Sequence, residues 1–330
     1  MTLSFLTGED LAALVSDADA VRFLEDALKS GTVDPEADSP RLFSPAPHGE
    51  FLMMPTSGPA WSGVKLVTVA PDNPAHGRPK IQGVYTLFSS ADLAPAVLMD
   101  AVELTLLRTP ATTVLAVKHL LAAGEPRPGR PLRVVVFGTG PQAERHLRCL
   151  RAVVGPIDVA VVGRRPESAL AFAARTDLPQ TRVRAGSPDD VPQADVVLCA
   201  TSSSTPVLED DLVPGHAVVA AMGSHGRERA ELPAELIRRS DVVVEARASA
   251  MREAGNLLQA RDAADWARVP PANLADLVGG RFRRTPGRPA VFSGVGMAWE
   301  DLVVATALYE RHRSRRPAQQ RPAPHDPDLT

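Results

Sequence analysis

Apolar positions along this chain follow two rhythms, and the change between them divides the sequence. Thr7 and Asp10 have the spacing of a capping box at a helix start. Ala18 to Lys29 continues in helical period until Gly31, where a C-cap is expected. Between Arg41 and Met99 the runs become short and rich in β-forming residues: Phe51–Met54, Val64–Val69, Val84–Phe88 and Ala96–Met99. Pro, Gly, Asn and Asp separate them, which predicts an antiparallel sheet. Asp100 and Glu103 then predict the cap of a long helix running toward Gly124, and Glu125–Pro131 reads as a linker.

From Leu132 the pattern alternates. Arg133–Phe137, Ile157–Val162, Ala194–Ala200, Ala217–Ala221 and Asp241–Glu245 are continuous apolar runs with helix-like segments between them, one opening near Pro166. Strands apolar on both faces, alternating with helices, predict a parallel, doubly wound α/β sheet. Met297 to Arg313 predicts a final helix that returns to the first domain, and the proline-rich tail from Arg315 is expected to be disordered.

At 330 residues, 44% hydrophobic and 23% charged, the chain is long enough for two domains with real cores. A net charge of −3 argues against nucleic acid or an anionic membrane as partner. Cys149 and Cys199 lie far apart, so neither a disulfide scaffold nor a zinc site is expected; no metal is assigned, and a cytoplasmic location follows. The N-terminus lacks the basic and apolar regions of a signal peptide, and no apolar run is long enough to span a membrane.

Chemistry enters at Gly138–Ala143, G-T-G-P-Q-A, which follows a predicted strand and opens a predicted helix. Gly138 permits the tight turn, Gly140 lets the backbone approach a pyrophosphate, and Ala143 keeps the helix close to the strand. Thr139 and Gln142 lie in the same turn, and the helix N-terminus offers free N–H groups to phosphates. The second strand ends without the acidic residue that would accept from a ribose 2′-hydroxyl. Arg164, Arg165 and Ser168 stand there instead and suit a 2′-phosphate, so NADPH is the expected cofactor and NADH the alternative. The competing reading is a pair of solvated loop arginines.

Three basic residues of the first half, Arg41, Lys65 and Arg108, are individually unremarkable, because such side chains usually reach water. Together with their neighbours they form a pattern. Pro40–Arg41, Gly63–Val67 (G-V-K-L-V), Asn73–Gly77, Ile81–Gly83, Leu107–Thr109 (L-R-T), Gly138–Ala143, Glu253–Gly255 and Val295–Asp301 (V-G-M-A-W-E-D) occur in order over most of the chain. This set resembles the ornithine cyclodeaminase/mu-crystallin family. The resemblance implies a homodimer in which a substrate and dimerisation domain, residues 1–124 with 297–314, flanks a Rossmann domain, residues 125–296, ahead of a tail from 315 to 330. It implies that Arg41, Lys65 and Arg108 converge on a substrate carboxylate. It also adds Arg108, Thr109, Thr201, Met222, Val295 and Gly296 to the cofactor-binding residues. The substrates it implies are amino acids, keto acids or cyclic imines.

One position separates the branches. Cyclodeaminases of the family carry an Asp in a G-x-D-x-P-G-K-x-E-L-like stretch; counting back from Glu231–Leu232, this chain has His225. Gly223–His225 resembles members that reduce cyclic ketimines such as 1-pyrroline-2-carboxylate, although Gly226–Arg229 replaces their usual turn. His225 is a candidate proton donor beside Lys65, or a residue that only organises the turn. The expected activity is therefore imine reduction. An alanine-dehydrogenase-type reaction, cyclodeamination and a mu-crystallin-like NADPH-dependent binding role are the alternatives.

Overall fold

The computed structural model describes residues 3–124, 129–223 and 226–315. Most of the predicted linker, Ser224 and His225, and the tail beyond Arg315 lie outside the described residues.

The N-terminal part opens with β1 (Phe5–Leu6) and two helices, α1 (Gly8–Leu14) and α2 (Asp17–Ser30). Thr7 and Asp10 form the expected capping box, and Gly31 ends α2 with φ of 70°. The break between the helices comes from a second capping box, Ser16 with Asp19, which satisfies the first free N–H groups of α2. The strands β2 (Leu42–Ala46), β3 (Gly49–Ser57), β4 (Trp61–Val69), β5 (Ile81–Ser89) and β6 (Pro95–Asp100) follow. They build a sheet in the order β1-β6-β5-β4-β3-β2. It is antiparallel as expected except at one edge, where β1 pairs parallel with β6; at two residues β1 was too short to leave a periodic signal. Asp100 accepts from the N–H groups of Val102 and Glu103 and starts α3 (Ala101–Ala122), which packs on α2 and on β5.

The second sheet collects β7 (Leu132–Phe137), β8 (Ile157–Val162), β9 (Arg182–Ala185), β10 (Val196–Cys199), β11 (Val218–Ala221), β12 (Asp241–Val244), β13 (Ala272–Asn273) and β14 (Ala290–Ser293). Its order is β13-β12-β14-β11-β10-β7-β8-β9, parallel throughout. The helices α4 (Pro141–Val154), α5 (Pro166–Arg175), α6 (Ala234–Arg239), α7 (Arg247–Glu253), α8 (Gly255–Leu258), α9 (Ala263–Arg268) and α10 (Leu274–Val278) connect them. The chain runs outward from β7 through β8 to β9, then reverses to β10, so the crevice between β7 and β10 is the topological switch point. The last helix, α11 (Ala298–Arg315), leaves this sheet after β14 and packs on α3, α2, β3 and β4. Among the described residues no helix is long and apolar enough to cross a membrane.

The two halves meet along α3 and α4. There His146 is fully enclosed, with Nδ1 2.7 Å from the Gln142 carbonyl oxygen and Nε2 3.1 Å from Thr113 Oγ1. The carbonyl can only accept, so Nδ1 donates, and burial keeps the ring neutral at pH 7. Burial pushes its pKa down to about 4. In this depressed histidine the unfolded chain binds the extra proton, so the stabilisation is complete above about pH 6.5 and is lost as pH falls toward 4. The stability gap between the wild type and His146→Gln should therefore shrink by about 2–3 kcal/mol between about pH 7 and about pH 4. Urea denaturation at the two pH values checks this; an unchanged gap contradicts it.

Candidate functional site

The carboxyl ends of the parallel strands open onto a cavity of about 720 Å³. Its walls are the turn from Phe137 to Gln142, the segment Val162–Arg165 with Ser168, and the stretch Ala200–Ser203. Gly138 has φ of 119°, and a Cβ there would stand 2.4 Å from the Ala200 carbonyl oxygen, so the turn admits only glycine. A Cβ at Gly140 would meet nothing within 4 Å, which leaves the approach to the N-terminus of α4 clear. Pro141 occupies the first turn of α4, where a missing N–H costs nothing, and Ala143 is fully buried. Gln142 Oε1 is enclosed without a hydrogen-bond partner among the described residues. Thr139 lines the same cavity. These features fit a dinucleotide: open backbone N–H groups, a clear approach and a helix N-terminus aimed at it.

Arg164 and Arg165 stand exposed at the end of β8, with Ser168 one turn on in α5. Among the described residues no carboxylate engages either guanidinium. Both remain free for an anion at the rim of the cavity.

Deeper along the strand ends, buried carboxylates organise the backbone. Glu231 accepts from the Thr201 N–H at 2.7 Å, the Thr201 hydroxyl at 2.6 Å and the Gly223 N–H at 2.7 Å. It thereby ties the loop after β10 to the loop after β11 that begins at Met222. Asn256 accepts from the N–H groups of Glu231 and Leu232 and donates to Ser293 at the end of β14. The loop closed by Glu231 contains His225, outside the described residues.

The three predicted basic residues are brought together at the start of α11. Lys65, on the buried face of β4 and 3% exposed, has Nζ 2.7 Å from Asp301 Oδ2. Burial is the largest influence on it and the Arg108 charge the next; against the pull of Asp301 they lower its pKa to about 8. Arg108, on α3, places Nη1 2.6 Å from Glu300 Oε2 and Nε 3.0 Å from Asp301 Oδ1. Burial works against its charge, but Asp301, Glu300 and Glu245 hold the guanidinium protonated more firmly than usual. Two of its three nitrogens are thus committed within the protein, and among the described residues no hydrogen bond goes to Nη2. Thr109 Oγ1 beside it is buried without a partner.

Arg41 is employed differently from the other two. Its Nη2 donates to the Val295 and Gly296 carbonyl oxygens at 2.8 and 2.7 Å, and its Nε lies 3.1 Å from Glu253 Oε2. The same two residues donate their N–H groups to Glu245, Val295 at 2.7 Å and Gly296 at 3.0 Å. The Val295–Gly296 peptide is therefore gripped through its carbonyls by a cation and through its amides by a carboxylate. It also lies against Arg108: a Cβ at Gly296 would fall 2.8 Å from Arg108 Nη1, and its φ of 79° independently favours glycine.

Sequence reasoning reached Arg41, Lys65, Arg108, Val295 and Gly296 but not the acidic residues that hold them. Glu300 and Asp301 lay within a quoted motif, where their spacing alone gives them no role. Glu245 ends a predicted strand and Glu231 served only as a counting mark; a charge next to a wholly apolar run was the available signal. Among the described residues no group of three or more His, Cys, Asp or Glu could hold a metal ion.

Comparison with known proteins agrees with this architecture. The chain is 35% identical over 271 residues to Delta(1)-pyrroline-2-carboxylate reductase 2 of Burkholderia ambifaria, covering 81% of this chain and 82% of that one. It is 32% identical over 309 residues to the Delta(1)-pyrroline-2-carboxylate/Delta(1)-piperideine-2-carboxylate reductase of Azospirillum brasilense, covering 93% and 95%. An archaeal alanine dehydrogenase dimer with bound NAD shares the fold, with a TM-score of 0.81 at 24% identity over 96% of this chain and 97% of that one. The model of the ornithine cyclodeaminase/mu-crystallin family matches residues 4–316, and the chain belongs to that family.

Proposed function

We propose that this protein is an NAD(P)H-dependent reductase of cyclic imine carboxylates, 1-pyrroline-2-carboxylate or a close relative, giving the cyclic L-amino acid. The observation that carries the reading is the buried meeting of Lys65 and Arg108 beside the clamped Val295–Gly296 peptide. The reductase relatives from Burkholderia ambifaria and Azospirillum brasilense support it. The reading assigns residues 1–124 with 297–314 to substrate and dimerisation, and residues 125–296 to the cofactor.

When bound, the reduced nicotinamide supplies a hydride to the imine carbon. The protein's share is orientation and proton supply. Arg108 Nη2 and the Lys65 ammonium take the substrate carboxylate in a region of low water content, where their charges act strongly. Lys65, at about 8, holds a proton at neutral pH and releases it readily to the ring nitrogen. The nitrogen gains that proton as the carbon gains the hydride, so the product is a secondary amine and Lys65 is recharged from solvent.

Lys65→Ala should abolish turnover of the best cyclic imine while NADPH still binds, because the cofactor cavity is built from other elements. Arg108→Lys should also be severe, since an ammonium cannot serve Glu300, Asp301 and a ligand together. In wild type, kcat/KM for reduction should fall as pH rises through about 8, where Lys65 loses its proton. Following NADPH absorbance with cyclic imines, and with keto acids plus or minus ammonia, tests the reading. Near-normal kcat/KM in both variants overturns the anchor.

NADPH should be preferred to NADH. Replacing Arg164 and Arg165 by Ala should weaken NADPH by about 10- to 150-fold, the equivalent of about 1.5–3 kcal/mol for a lost charge-assisted contact. The NADH constant should change little; equal effects on the two cofactors sink the assignment.

A homodimer is the third part of the proposal. Leu42, Met53 and Leu66 lie in register across β2, β3 and β4, with Phe51 on the same face, and Leu42 and Phe51 are 53% and 39% exposed. The opposite face of the sheet carries the buried Met54, Lys65 and Tyr85. An apolar stripe on the uncovered face of a sheet is suited to pairing with a second copy. Light scattering should give twice the chain mass at micromolar concentration, and a monomer there contradicts the expectation.

A further inference from the structure

The cluster beneath the proposed substrate site contains three cations, Arg41, Lys65 and Arg108, and four carboxyl groups, Glu245, Glu253, Glu300 and Asp301. All are at least largely withdrawn from water, and Glu300 and Asp301 are 0% exposed. At the rim Arg252 adds a fourth cation, 3.9 Å from Glu253, and Asp38, which accepts from the Ala298 and Trp299 N–H groups beside Asp301, adds a fifth carboxyl. Five negative charges against four positive ones leave one carboxylate without a counter-charge, and a buried carboxylate in that position takes up a proton.

The contacts identify which one. Asp301 turns one oxygen to Lys65 and the other to Arg108. Glu253 is set against Arg41. Glu245 spends both oxygens on the N–H groups of Val295 and Gly296, as an ionised acceptor does. Glu300, unlike the half-buried Asp38, is wholly enclosed: Oε2 takes the Arg108 Nη1 hydrogen, while among the described residues no donor reaches Oε1. Glu245, a group of like charge, is its neighbour and raises the cost of a charge on it. An ionised carboxylate there would keep one oxygen without a donor beside a second carboxylate. A protonated carboxyl needs no donor at that oxygen and can give its hydrogen to Glu245.

We propose that Glu300 carries a proton and shares it with Glu245, and that this acid pair positions both Arg108 and the Val295–Gly296 peptide. Burial first, and the charge of Glu245 second, push the Glu300 carboxyl well above its ordinary value; Arg108 opposes them and Asp301 adds to the rise. Lys65 faces the cluster from β4 and shares Asp301 with Arg108; Arg41 faces it from the segment before β2 and shares Glu253 with Arg252. Glu300 does not touch the reacting atoms in this arrangement. It acts through Arg108 on one side and, through Glu245, on the peptide that faces the nicotinamide; that last step rests on the reductase reading above.

Glu300→Gln is the informative substitution, because its amide donates to Glu245 and accepts from Arg108 as the neutral acid does. Infrared spectra of the full-length protein at neutral pH should show the carbonyl stretch of a protonated carboxylic acid that is missing in Glu300→Gln. Glu245→Gln, which removes the facing charge, should let Glu300 ionise against Arg108 and lose the same band; this second variant serves if the first fails to fold. An acid band of equal intensity in wild type and the folded variant overturns the proposal. In turnover, Glu300→Ala should lose about tenfold or more in kcat/KM, and Glu300→Gln should recover most of that loss. Equal losses in the two variants overturn the proton-carrying role. The infrared measurement needs neither substrate nor cofactor, so its failure is distinct from the absence of imine turnover, which would overturn the reductase reading instead.

Discussion

Asp301 is the residue on which the two ends of the chain depend. Its carboxylate, fully buried at the start of α11, pairs with Lys65 from the N-terminal sheet and with Arg108 from the long helix between the sheets. A buried ion pair of this kind contributes little net stability compared with a well-packed apolar substitute, but breaking it is expensive, about 3–5 kcal/mol. Removing Asp301 would leave two enclosed cations short of a partner. The C-terminal helix is thus held to the N-terminal sheet by charges that cannot be satisfied elsewhere, and the same charges are those the substrate carboxylate is proposed to meet.

A second constraint comes from close backbone approach. The parallel sheet delivers its loops to one edge, and what happens there is set by positions where no side chain fits: Gly138 against the Ala200 carbonyl and Gly296 against the Arg108 guanidinium. The first lets the turn before α4 pack directly on the loop after β10. The second lays a peptide flat on a cation that would otherwise be shielded by a methyl group. Carboxylates then fix the loops by accepting their N–H groups, Glu231 for Thr201 and Gly223, Glu245 for Val295 and Gly296. The rigid part of the site is therefore made by glycine and glutamate, and the residues expected to touch ligands are carried on it.

Much of this arrangement could be read from the sequence. Strands such as Leu132–Phe137 and Ile157–Val162 are apolar apart from the exposed Arg133 and Asp158, and the long helix after Asp100 announces itself by its cap. Others left no such signal. Arg182–Ala185 reads R-V-R-A, since an edge strand needs little apolar surface, and Ala290–Ser293 is only four residues long although it sits between β11 and β12. The site residues divide in the same way. Lys65 and Arg108 were visible through motifs spread along the chain. The carboxylates holding them were not, because a one-dimensional pattern does not say which charges share a buried volume. Arg41 was visible, yet its contacts go to the Val295–Gly296 carbonyls and Glu253, which only the tertiary structure brings to it.

The balance of charge in the cluster also bears on what it can accept. With Glu300 neutral, Arg41, Lys65, Arg108 and Arg252 are matched by Glu245, Glu253, Asp301 and Asp38, and the site carries no net charge before a ligand enters. A free anion would add an unmatched negative charge to a region that screens it poorly. An imine carboxylate whose ring nitrogen takes the Lys65 proton, which solvent then replaces, adds none. Such a guest can engage Arg108 Nη2 and Lys65 through its carboxylate without disturbing the pairs already made. A neutral, fully paired cluster therefore discriminates by the net charge of the ligand as well as by its shape, favouring a zwitterionic imine carboxylate over a simple acid.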